Sequence, residues 1–421
     1  MLLIKKATIV APQSKHHLKT RDILIKDGKI DAIKVKIEGS KNSQIIDAGG
    51  AFASIGWMDV GARSGDPGYE HREDLNSLKS AAAAGGFTAL ATLPNTNPPV
   101  HSKSEVNYLT AANGRTLVDI FPLGAISVNC KGEEITELYD MHEHGAVGFT
   151  DGKALQHAGL LQRALLYVKS FDGLVMNHPN DTTLSKDGQM HEGVVSSSLG
   201  MKGIPEISET LMLQRDLTLL DYTDSKLHVN NISSAESLKL ITAAKKSGQS
   251  VTCSVPAINL ALNDEALNSF DVQVKVLPVL RKEKDRKALI KGIKNQQISF
   301  VSSNHQPLEL EAKAVEFPRA KFGSIGLESC FATVNTALEG ALDATEVQQL
   351  FAINPRTVLG IEIPTLEEGS EANITLFNLE EEWTFGPGHI RSKSQNTPFL
   401  GTKFTGRALG TILRDQYHFD L

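Results

Sequence analysis

The chain has 421 residues, 41% hydrophobic and 22% charged, a composition that builds a packed core and excludes a disordered or fibrous protein. That length calls for one large domain plus a smaller one. A formal net charge of −6, with no basic stripe interleaved with aromatics, excludes a nucleic-acid binder, and no run of 18 apolar residues offers a membrane helix.

The opening segment, MLLIKKATIV, is broken by lysines and does not read as a secretory leader. The first fifty residues predict short strands at LLIKKATIV, at DILIKDGKIDAI with its Asp-Gly hairpin signal, and at SQIIDAGGAF. From about 55 to about 360, apolar runs alternate with amphipathic helical stretches. Predicted strands are SIGWMDVGA, FTALATLP, IFPLGAIS, GAVGFTD, GLVMNH, KLHVNNIS, SVTCSVP, VQVKVLP and ISFVSSN. Helices are predicted at LNSLKSAAAAG, LLQRALLYVKS and SAESLKLITAAKKSG. AAAAGGF reads as a helix end feeding a strand and lacks phosphate-loop spacing. The chain ends on strand patterns again, in ANITLFNLE, EWTF and ALGTILRDQYHFDL.

Eight or so βα repeats predict a (β/α)8 barrel over 55–360, with residues 1–54 and 361–421 meeting as one small β domain. Periodicity alone leaves a doubly wound sheet open. Cys130, Cys253 and Cys330 are scattered without CxxC spacing, which fits a reducing, cytoplasmic setting and supplies no thiolate zinc site.

In a barrel the chemistry sits at the C-terminal ends of the strands. Those ends here carry Asp59–Gly68 (DVGARSGDPG), Asn95, Asp151-Gly152, His178, His228–Ser233 (HVNNIS) and Ser303-Asn304-His305. With DPGYEHREDL, AAAAGGFTALATLPNTNPP, GQMHEGVVSSSLGMKGIPEISE, LRKEKDRKALIKGI, FGSIGLES, NPRTVLG and KSQNTPFLGTKFTGRALGTI, they give a sequence that closely resembles dihydroorotases of the metal-dependent amidohydrolase superfamily, of the bacterial type that associates with aspartate transcarbamoylase. The resemblance covers nearly the whole chain. Any one block alone is weak; their ordered succession is specific.

The resemblance implies a zinc-bound hydroxide that opens a cyclic amide, held by His-x-His on the first barrel strand. Here those positions are Gly61 and Arg63, and neither side chain can donate a lone pair. The family's substrate-carboxylate arginine is Gly65. Asp151 and His178 fall where the family places metal ligands, whereas its third histidine is Asn231 and its general-base aspartate is Asn304. An amide cannot take a proton near neutral pH, and losing a general base costs roughly 100- to 10,000-fold. The family's Asn-Pro-Pro-Leu-Arg reads Leu277-Pro278-Val279-Leu280-Arg281, its later histidine is Leu308, and Asn95 survives as a substrate contact.

Two functions are therefore open. One is a non-catalytic dihydroorotase-like subunit with a vestigial zinc site, a homodimer or a partner of aspartate transcarbamoylase. The other is a working cyclic amidohydrolase in which Asp151 and His178, with waters or His305, hold one metal and act on dihydroorotate, allantoin or a hydantoin. Arg63 has two readings as well: an ion pair to Asp151 in the space of the lost metal, or a side chain reaching to solvent. The tail from Lys393 to Gly401 is expected to fix the β domain on the barrel.

Overall fold

The computed structural model describes residues 1–40 and 43–420. Its strands run β1 (Leu2–Val10), β2 (Thr20–Lys26), β3 (Lys29–Lys34), β4 (Gln44–Asp47), β5 (Phe52–Ile55), β6 (Trp57–Ala62), β7 (Phe87–Thr92), β8 (Asp119–Gly124), β9 (Gly148–Phe149), β10 (Val175–Asn177), β11 (Met190–His191), β12 (Gly203–Ile204), β13 (Leu227–Val229), β14 (Val251–Pro256), β15 (Phe300–Ser302), β16 (Asn373–Thr384), β17 (Lys403–Leu413) and β18 (Gln416–Phe419).

Eight of these form the barrel, in the order β6-β7-β8-β9-β10-β13-β14-β15, each parallel to its neighbour. The seam between last and first strand is closed just beyond their ends. There the Arg63 N–H donates to the His305 carbonyl at 3.0 Å, and the buried Asp59 carboxylate accepts the Ser303 N–H at 2.6 Å and its hydroxyl at 2.7 Å. This is the (β/α)8 barrel of the sequence reading.

The three predicted helices are present as Leu75–Ala84, Ala158–Lys169 and Ala235–Lys246. Leu75–Ala84 starts where it does because Asp74 caps it, accepting the N–H groups of Asn76 and Ser77, with Ser77 returning the bond in a capping box. Gly85 ends it: a side chain there would meet the Leu327 carbonyl at 2.2 Å.

The eight-stranded second sheet draws β1–β5 from the start of the chain and β16–β18 from its end, meeting where β5 pairs antiparallel with β16. Its β2–β3 hairpin turns on Asp27 and Gly28, both at positive φ, as the Asp-Gly signal requires. Trp57, fully buried at the base of β6, lies 5.2 Å from Phe377 of β16 and 5.2 Å from Phe351, so one apolar core runs from sheet to barrel.

One predicted strand is not a strand. VQVKVLP forms a 3-10 turn at Val272–Val274. Its alternating pattern comes from Val274 and Val276 packing into a satellite core with Met190, Leu280 and Phe317. β14 pairs directly with β15, so no barrel edge is left for it. The tail clamps onto the barrel top as expected: Ser394 donates to the Arg72 carbonyl at 2.9 Å, and Asn396 Nδ2 to the Gln306 carbonyl at 3.0 Å.

Candidate active site

At the end of β6 the ladder is irregular between Val60 and Ala62, and Gly61 takes φ +99°. The space above it is open, because an added Cβ would find nothing closer than Asn230 Nδ2 at 3.9 Å. Gly65 is the opposite case. It also has positive φ, but a Cβ there would lie 2.5 Å from the Glu73 carbonyl oxygen, so the turn has closed over the position.

Arg63, half-buried, extends its guanidinium across the mouth to the far side, where Nη2 donates to the Gly152 carbonyl at 3.2 Å. No carboxylate stands within 4.0 Å of it among the described ion pairs. Of the two expectations for Arg63, the ion pair with Asp151 is not among the described ion pairs, and the side chain is in part exposed at the mouth. The two oxygens of Asp151 are engaged instead by Ser127. Oδ1 accepts the Ser127 N–H at 2.8 Å and Oδ2 the Ser127 hydroxyl. Burial pushes the Asp151 carboxyl up, opposed by these bonds and by Lys153.

His178 is tethered through Nδ1 to the Asn230 carbonyl at 3.0 Å. Burial lowers its pKa, opposed by the Asn230 carbonyl bond and by Glu209; Nδ1–H donates to that carbonyl, which leaves Nε2 as the ring nitrogen without a described partner. Asn231, left-handed at φ +60°, donates from Nδ2 to Asn304 Oδ1 at 3.3 Å and accepts the Ser302 hydroxyl at 2.7 Å. Asn304 donates in turn to the Leu277 carbonyl at 2.9 Å. Asn95 is drawn under the turn, donating to the Asp151 carbonyl at 2.8 Å, with its Oδ1 sealed against Gly152.

The neighbouring histidines face other work. His305 Nε2 donates to the buried Glu73 at 3.2 Å while Nδ1 accepts the Gly326 N–H at 3.2 Å, so neither nitrogen is free for a metal. Its expected help to Asp151 and His178 is therefore not available. His228 bonds Thr252 and Ser254 and stacks on Phe300 at 4.8 Å, wholly inside the barrel wall. Leu308 is buried beneath the tail, its N–H held by Asn396 at 3.2 Å.

Arg281 is buried among Ser233, the Ile204 carbonyl, His191 and Glu209, and ties the β11–β12 ribbon to the barrel. Ser127, Glu73, Glu209 and His191 escaped the sequence reading. Their partners lie 24 to 232 residues away, and no local spacing announces such pairings.

Two comparisons with known proteins decide the family. The dihydro-orotase-like family profile matches residues 56–237. Proteins called dihydroorotase from Pelotomaculum thermopropionicum (37% identical, covering 98% of this chain and 97% of that one) and from Caldicellulosiruptor saccharolyticus (38%; 96% and 95%) match end to end. The chain belongs to the dihydroorotase family. Among solved structures, the L-hydantoinase of Arthrobacter aurescens superposes with a TM-score of 0.85 over 99% of this chain and 95% of its own, at 24% identity, a likeness of fold.

Zinc is the metal that the family implies, and the residues at the mouth do not fit it. A catalytic zinc uses about three protein ligands and an open position. The mouth offers one free imidazole nitrogen, a carboxylate already doubly engaged, two amides and a guanidinium. Among the described residues, no three His, Cys, Asp or Glu side chains cluster to hold a metal. Nor is any described helix long and apolar enough to cross a membrane.

Proposed function

We propose that this chain is a non-catalytic dihydroorotase-like protein of pyrimidine biosynthesis, retained as a structural or regulatory subunit. The observation that carries the reading is the Asn231–Asn304 hydrogen bond, which joins two amides at the positions of a metal ligand and the general base. An Asp at 304 in place of this amide would be needed to take a proton from water, and an imidazole at 231 to hold the metal. The β-bulged glycine at 61 and the cation at 63 point the same way. In this reading Asp151, His178 and Asn95 are vestigial site residues. Residues 55–360 are the catalytic-type barrel, residues 1–54 with 361–421 the small β domain, and the protein works in the cytoplasm.

The partner that the resemblance suggests is aspartate transcarbamoylase, with a homodimer as the resting assembly. The test has two arms. Protein expressed with supplemental zinc is analysed for metal and assayed for ring-opening of dihydroorotate at mildly alkaline pH, and a tagged copy is used to capture aspartate transcarbamoylase from the same cell. Less than about one-tenth equivalent of zinc, no turnover and capture of the partner support the reading. Bound zinc with turnover rejects it.

A second reading has one specific observation in its favour. His178, its Nδ1 fixed by a carbonyl and its Nε2 free, has the arrangement of a metal-ligating histidine. A reduced site built on it with Asp151 would serve a cyclic amidohydrolase acting on dihydroorotate, allantoin or a hydantoin. Turnover of any of these that is lost in His178→Ala would favour it.

A further inference from the structure

The end of the barrel opposite the mouth is not closed. β9 is two residues long and β10 and β13 are three each, and the residues leading into them, Val147, Leu174 and Lys226, line a cavity of about 640 Å³. Its far wall is the end of the helix Asn354–Leu359 and the turn after it, at Leu359 and Ile361. This end of a barrel ordinarily serves stability and is packed with side chains. Here Gly173 and Gly360 add no side chain to the wall, and a Cβ at Gly360 would find no atom within 4 Å. β10 runs between Leu174 in the cavity wall and His178 at the mouth, which at about 3.3 Å per residue sets the two roughly 13 Å apart.

The wall is apolar at depth. Leu174 and Leu359 belong to the core inside the barrel, and Val147, Val358 and Ile361 pack against that core while remaining only partly buried. Phe171, also partly buried, gives the wall an aromatic ring and stacks on His142 at 4.8 Å. At the rim, Lys226 and Asp172 are spent on each other in an ion pair of 2.6 Å. Gln249 brings one unmatched polar group. Its Nε2 donates to Asp221 at 3.2 Å, and its Oε1, shielded from water, accepts no hydrogen bond among the described residues. A shielded acceptor without a donor costs free energy that an incoming N–H recovers.

We propose that this cavity is a binding site for a flat, uncharged, mainly apolar molecule carrying one N–H donor, with its ring against Phe171, Leu174 and Ile361 and its N–H on Gln249 Oε1. The volume is that of a small-molecule pocket, for which about 300–1,000 Å³ is usual. Burial of a ring against partly buried side chains supplies the affinity, and the glutamine oxygen supplies the selection. The mutual neutralisation of Lys226 and Asp172 favours an uncharged ligand over an ion. No bond is made or broken; the ligand is held. The site stands apart from the mouth and does not depend on whether a metal binds there.

The test titrates the full chain, its isoleucine, leucine and valine methyls labelled for NMR, with indole and with benzofuran, which has the same two-ring shape with oxygen in place of N–H. Indole is expected to saturate with a Kd of about 0.1–2 mM and to shift the methyls of Val147, Leu359 and Ile361. Benzofuran should bind about three- to tenfold more weakly, and Gln249→Leu should bring the two to equal affinity. Ile361→Trp and, separately, Val147→Phe fill the cavity, and each should weaken indole about tenfold or more. The unfolding midpoint checks that each variant is folded, and either cavity-filled variant suffices.

Failure of indole to saturate by about 10 mM in folded wild-type protein overturns the proposal. So do equal affinities for indole and benzofuran in that protein, binding that leaves the methyls of Val147, Leu359 and Ile361 unmoved, or undiminished binding in a folded cavity-filled variant. Zinc content and dihydroorotate turnover of the same preparation report on the mouth alone, so the non-catalytic reading stands or falls separately.

Discussion

Asn231 and Asn304 lie on neighbouring turns after β13 and β15 and share one hydrogen bond of 3.3 Å, both in left-handed backbone. Asn304 completes its bonding with the Leu277 carbonyl at 2.9 Å. A carboxylate cannot make that second bond, since it has no hydrogen to give. Asn304→Asp is therefore expected to lower stability by about 1–3 kcal/mol through two facing acceptors. It should also restore no ring-opening of dihydroorotate, because the change supplies a base and no ligand. Urea unfolding and a sensitive turnover assay check both halves, and turnover above the buffer blank would mean that a metal site persists.

Gly61 in β6 and Gly65 in the turn after it differ in how readily they would take a side chain. At Gly61 a side chain has space, and the obstacle is φ +99°, outside the range of ordinary L residues, at a cost of about 1–3 kcal/mol. At Gly65 a Cβ would in addition meet the Glu73 carbonyl at 2.5 Å, and backbone cannot swing aside as a side-chain tip can. Gly65→Arg should therefore destabilise the protein more than Gly61→His, by denaturant midpoint at equal slope. Equal losses would mean that the loop from Ser64 to Glu73 adapts freely.

Arg281 offers a test of what holds the β11–β12 ribbon over the barrel. Replacing it with Met leaves Glu209 buried without its cation, for which about 3–5 kcal/mol is the usual cost. It also removes a positive charge that, after burial, keeps the His191 ring at a pKa of about 4. In Arg281→Met the His191 pKa should rise in an NMR titration, and amides near Met190 and Ile204 should lose exchange protection. A loss of stability with His191 unmoved would separate packing from charge.

Much of this was legible from sequence because barrel strands are continuous apolar runs bounded by glycines and polar ends, as in FTALATLP and SVTCSVP. The hairpin at Asp27-Gly28 announced itself through its turn chemistry. VQVKVLP misled because alternation reports burial on one side and says nothing about a ladder partner. The identities at 61, 63, 231 and 304 could be read by resemblance, yet what they now bond to could not. Ser127 capturing Asp151 is a contact between βα units. No residue spacing encodes it.

Acid stability follows from two buried histidines with neutral rings. Burial holds His228 at a pKa of about 3 and, with Arg281 beside it, His191 at about 4, against 6.5 when unfolded. For a histidine whose folded pKa is depressed, the unfolded chain binds the proton first as pH drops. Stability is therefore full above about pH 6.5 and falls below it, until each ring protonates in the folded state. At pH 5 each contributes a loss of about 2 kcal/mol relative to neutral pH. His228→Gln, which keeps a polar group near Thr252 and Ser254, should flatten the curve between pH 7 and 5 by about that amount even where it lowers stability at pH 7. Urea unfolding at half-unit steps of pH reads the slope directly, and an unchanged slope in the variant would assign the acid sensitivity to other groups.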